Sequence, residues 1–150
     1  MALNIRKFPY TQARDAITTI YTAAVEGEFD TREKFMAILD RNPHLAVQGY
    51  NPYGKIFYWN EASVQVYGHS ESDAINQDLF ELILPEEMRS FARDSIQSAV
   101  KTGRMPQPGA CNLLRGDGET VAVFSGHLVF HWDGTYPEFY CIDLMVEQET

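Results

Sequence analysis

The stretch Gly54-Lys55-Ile56-Phe57-Tyr58-Trp59-Asn60-Glu61-Ala62, followed by Tyr67-Gly68, passes from strand to helix within 15 residues. Lys55 to Trp59 is rich in branched and aromatic side chains, which suit a pleated, half-buried surface. Asn60 stands where a side-chain oxygen can accept from the first free N–H groups of a helix, and Gly68 provides a stop that tolerates left-handed backbone. The spacing therefore predicts a strand ending at Trp59 and a short helix over 61–67. Upstream, Leu45 to Tyr50 forms a second β-rich run. Between the runs, Asn51-Pro52-Tyr53-Gly54 has Pro second and Gly fourth, as a type I turn prefers, so the pair reads as a β-hairpin.

Working outward, Ala13, Ala16, Ile17, Ile20, Tyr21 and Ala24 recur at three- and four-residue steps, predicting an amphipathic helix over 11–26 that Gly27 stops. A second helix starts at Asp30 or Thr31, with Glu33 in capping-box spacing from Asp30, runs through Phe35, Ile38 and Leu39 and ends before Pro43. Short helical pieces follow at 72–75 and 79–84. Pro85 opens a longer helix whose first residues, Glu86 and Glu87, suit the positive end of the helix dipole. Met88, Phe91, Ala92, Ile96, Ala99 and Val100 form its expected buried stripe, and Gly103 ends it. Strands are expected at 110–115, 120–132 and 138–146, with turns at Gly116-Asp117-Gly118 and Asp133-Gly134. The chain thus reads as α+β: a five-stranded antiparallel sheet with short helices and one longer helix on one face. A boundary near Gly27 separates an N-terminal helical extension, 1–29, from a domain spanning 30–150.

Composition narrows the function. A length of 150 residues accommodates one domain, and a formal charge of −9 without a Lys/Arg cluster opposes binding to nucleic acid or anionic lipid. No run approaches the ~20 apolar residues of a membrane span, and no signal peptide is evident, so cytoplasmic residence is expected. Cys111 and Cys141 lack any C-x-x-C partner, which argues against a zinc site or a disulfide framework.

The quoted stretch, with Ala74-Ile75, Leu79-Phe80, Ile83, Pro85-Glu86, Asp117-Gly118 and Asp143 in order behind it, resembles the PAS domain family over about residues 31–147. The sequence departs from the family pattern at Tyr53, where Asp or Asn is common, and at Asn76, where Gly is common. It departs again at Met145, where the terminal D-x-T motif has Thr. The resemblance implies a sensory input module working with an effector of the diguanylate cyclase or histidine kinase type, in cis or in trans. It also implies a homodimer; the N-terminal helix either pairs with its copy in the second chain, the favoured reading, or packs back on its own domain. A ligand-free dimerisation scaffold is the alternative.

For a ligand site, the resemblance places Trp59, Phe80, Phe91, Phe124, His127 and Tyr140 around a pocket between sheet and helices, where aromatic side chains commonly line ligands. No cofactor is identified, and the residues are compatible with a non-covalent flavin, a small organic acid, a fatty acid or no ligand. Haem-binding relatives carry a His on the long helix, and residues 86–102 contain none. Covalent flavin needs a Cys among the short helices, whereas both cysteines fall on expected strands. No metal site is expected, since His44, His69, His127 and His131 form no compact cluster. A catalytic set can be assembled from Ser125, His127 and Asp143, but Ser125 lacks nucleophile-elbow context, and no catalysis is expected.

Overall fold

The computed structural model describes residues 4–132 and 136–147. The turn expected at Asp133-Gly134 lies outside the described residues. Eleven elements follow one another: α1 (Tyr10–Val25), α2 (Arg32–Asp40), β1 (Ala46–Tyr50), β2 (Ile56–Trp59), α3 (Glu61–Tyr67), α4 (Glu71–Ala74), α5 (Leu79–Ile83), α6 (Glu86–Thr102), β3 (Gly109–Leu114), β4 (Thr120–Phe130) and β5 (Glu138–Met145). The strands form one antiparallel sheet in the order β2-β1-β5-β4-β3.

The local signals act as their chemistry requires. Asn60 accepts from the Ser63 amide at 3.0 Å, and Gly68 caps α3 at φ 76°. Asn76 holds φ 73°, a left-handed conformation that Asn adopts more readily than most side chains. At the second helix the cap is Thr31, whose Oγ1 accepts from Lys34, while Asp30 pairs with the Lys34 ammonium. Asp78 caps α5 through the amides of Phe80 and Glu81.

The sheet is apolar on both sides. Along β5, Phe139 and Cys141 face one core, and Tyr140, Ile142 and Leu144 face another, as strand alternation dictates. The first core is covered by α3 to α6. The second is covered by α1 and α2, with Phe35 and Leu39 of α2 packed among Phe130 and Tyr140. The N-terminal extension thus lies against the sheet of the domain it precedes. Ala13, Ile17 and Tyr21, the stripe expected to pair between two chains, are buried within one chain. Gly126 permits this approach: a Cβ there would stand 2.9 Å from Ile17 Cγ2. Nearer the terminus, Phe8 bridges in parallel to Val146, its amide donating to the Met145 carbonyl at 2.8 Å. Among the described residues no helix is long and apolar enough to cross a membrane.

The candidate cavity and its polar floor

The α5–α6 layer does not close fully on the sheet. Of the stripe expected on α6, Ile96 and Ala99 are buried, Met88 and Ala92 are half-buried, and Phe91 is 69% exposed. Val100 is exposed as well. A cavity of about 400 Å³ lies between this helix and the sheet, within the ~300–1,000 Å³ usual for small-molecule sites. Its walls are largely apolar, with Leu79, Phe80, Leu84, Met88, Met105 and Leu113 among them. Phe91 and Glu87 stand exposed at its rim.

The sheet side is polar. Antiparallel register sets Ser125 opposite Asp143 and His127 opposite Cys141, all on the cavity face. The Tyr50 hydroxyl and His127 Nδ1 are 3.3 Å apart. Ser125 Oγ meets Cys141 Sγ at 3.5 Å, and Cys141 in turn donates to Asp143 Oδ1 at 3.3 Å. Behind them the Tyr67 hydroxyl donates to Asp143 Oδ2. Burial drives each ionisable group toward its neutral form. It raises the Asp143 carboxyl despite hydrogen bonds from Ser125 and Tyr67, and it lowers His127 despite the nearby Asp143 charge. Burial, reinforced by that charge, lifts the Cys111 thiol to about 12 and Cys141 well above its ordinary value, so neither is a ready nucleophile.

Three of the six expected ligand residues, Phe80, Phe91 and His127, line this cavity. The other three do not line it. Phe124 and Tyr140 alternate to the opposite face of the sheet, where α1 and α2 cover them. Phe124 and His127, three apart on one strand, cannot line the same side. Trp59 lies in the core on edge strand β2, its indole donating to the His69 carbonyl at 3.0 Å and its ring tilted on Tyr67. The residues that sequence reasoning missed are Tyr50, Met105 and Cys141, together with Ser125 as a floor residue. Strand alternation from His127 pointed to Ser125; the register that adds Tyr50 and Cys141 comes from non-local pairing.

Ser125 and His127 are also not a nucleophile–base pair. Side chains two apart on a strand project in parallel, and each is bonded elsewhere, Ser125 to Cys141 and His127 to Tyr50. Among the described residues no three His, Cys, Asp or Glu side chains group as metal ligands.

Known proteins share this architecture. A family model described as PAS fold matches residues 56–142, more than half of the sequence. The chain belongs to the PAS fold family. No curated protein matches it significantly. Among solved structures, the PAS domain of a Colwellia psychrerythraea protein is similar with a TM-score of 0.62 at 20% identity, over 77% of this chain and 98% of that one. The PAS domain of an HTR-like protein from Haloarcula marismortui has a TM-score of 0.54 at 20% identity, over 76% of this chain and 96% of that one. The RpfR quorum-sensing receptor PAS domain from Cronobacter turicensis, in complex with C12:0, has a TM-score of 0.55 at 15% identity, over 69% and 94%. Such identities show a common fold.

Proposed function

We propose that the chain is a sensory input module whose cavity between α6 and the sheet takes a small apolar ligand and thereby regulates an effector. The observation that carries this reading is the cavity itself, apolar on the helix side and hydrogen-bonding on the sheet side. A similar domain in complex with C12:0 supports it by analogy. Binding transmits a signal only if two states of the domain differ in affinity for the ligand. The half-buried α6 is the element that such a difference would move.

The effector is of the diguanylate cyclase or histidine kinase type, in cis or in trans, and the domain itself is not an enzyme. Its setting is the cytoplasm, in keeping with two unpaired cysteines. It works as a homodimer. Because the α1 stripe is buried on its own sheet, the contact between copies uses another surface. Native mass spectrometry of the purified chain, with its near-ultraviolet and visible absorbance recorded, tests the reading. A small molecule retained in stoichiometric amount supports it. A ligand-free dimer with the cavity filled by side chains would make the chain a PAS-fold scaffold instead.

A further inference from the structure

We propose that the cavity selects a neutral amphiphile, an apolar body ending in one uncharged hydrogen-bonding group, and discriminates against carboxylates of the same length; this rests on the ligand-binding reading above. The argument begins with charge. No Lys or Arg is among the residues that line the cavity, and Glu87 at the rim is its one carboxylate. Two arginines of α6 are already engaged, and Arg104, beside Met105, lines the adjoining pocket rather than this one. Arg93 pairs with Asp78 at 2.8 Å, and Arg89 donates to the Phe80 and Leu84 carbonyls at 3.1 Å.

A carboxylate entering head first would therefore lose its hydration without gaining a cation from the lining. Entering tail first, it would leave its charge beside Glu87 on a chain of net charge −9. Neither orientation compensates the anion. A hydroxyl or carbonyl meets no such penalty, and the floor has bonding capacity to offer it. His127 spends Nδ1 on Tyr50, while its Nε2 has no hydrogen-bond partner among the described residues. Whichever tautomer is present, one donor or acceptor is left on that ring. The Ser125 hydroxyl, which can both donate and accept, lies on the same face two residues away.

The test is isothermal titration calorimetry of the purified chain with 1-decanol and with decanoate at about pH 7.5, where the carboxyl is ionised. The expected result is decanol binding at least about tenfold more tightly than decanoate, or roughly one decade in Kd. Ala92→Trp, which fills the cavity from the half-buried face of α6, should abolish decanol binding, with far-ultraviolet circular dichroism confirming a folded chain. Ser125→Ala and His127→Phe should each weaken decanol by about threefold to tenfold, the range of one hydrogen bond, and leave decanoate unchanged. Decanoate binding as tightly as decanol would overturn the ligand class while leaving the cavity as a site. Decanol binding undiminished in Ala92→Trp would overturn the location. Binding of neither probe, with no molecule retained in the native mass spectrum, would overturn the ligand-binding reading together with the class.

Discussion

The Tyr21 hydroxyl donates to the backbone carbonyl of Met105 across 2.7 Å, and Met105 is a wall of the cavity. One hydrogen bond thus joins the N-terminal helix to the segment linking α6 with β3, 84 residues along the chain. Any ligand that shifts Met105 acts on α1 through this bond. Tyr21→Phe keeps the ring and its packing but leaves a buried carbonyl unpartnered, at a cost of about 1–3 kcal/mol. Urea unfolding measures the loss, and amide hydrogen exchange should rise in α1 and around residue 105 before it rises in the sheet. Unchanged exchange in α1 would show that apolar packing alone holds the helix.

Ile17 and Gly126 define the same contact from below. A methyl group at 126 meets Ile17 Cγ2 at 2.9 Å, closer than carbon atoms approach without displacement. Gly126→Ala should destabilise the chain by about 1–3 kcal/mol through overpacking. Combined with Ile17→Ala it should cost less than the two single changes added together, because the smaller side chain makes room. A double-mutant cycle on urea midpoints reads this coupling. Strict additivity would mean that α1 does not rest on Gly126.

Asp143 gives the chain a pH-dependent weakness. Burial raises its carboxyl above the ordinary value, so the folded chain retains a proton that the unfolded chain releases. The stability contributed by this group is complete below the unfolded Asp value of about 3.9 and is lost as pH rises through the higher folded value. Asp143→Asn should therefore lose less stability than the wild type as pH rises above about 4. His127, whose ring is pulled down by burial, gives the opposite slope below about pH 6.5. The comparison is accordingly variant against wild type at each pH, by urea midpoint. Parallel curves would show that the carboxyl ionises as freely in the folded chain as in the unfolded one.

How much of this was legible in the sequence depends on the range of the interaction. Asn60, Gly68, Asn76 and Gly103 govern their own backbone or the next turn, and the helix and strand limits around them follow from one-dimensional signals. The five-stranded antiparallel sheet follows as well, since turn residues and β-rich runs alternate along the chain. The site was less legible because it is made by register. Tyr50, Ser125, His127 and Cys141 converge from β1, β4 and β5 through pairings that no local pattern states. The second apolar face also misled. When both sides of a sheet are buried, aromatic character does not say which side a residue serves, and Phe124 and Tyr140 belong to the side under α1 and α2.

Phe91 and Ile96 fall in one sequence stripe on α6, yet the first is 69% exposed and the second 2%. Five residues apart, they point about 140° apart around the helix, Phe91 to the cavity rim and Ile96 into the core. The cavity opens under the N-terminal half of α6, which contributes Glu87, Met88, Phe91, Ala92 and Ser95 to its lining, while Ile96 and Ala99 are buried in the core. Ile96→Ala should cost about 2–5 kcal/mol, as truncation of a buried branched side chain does. Phe91→Ala should change stability by no more than about 0.5 kcal/mol, as at an ordinary surface position. Thermal and urea unfolding of the two variants distinguish the cases. A loss at Phe91 approaching that at Ile96 would show that α6 closes over the empty cavity in solution, and saturating decanol should then abolish the difference between Phe91→Ala and a chain held open by ligand.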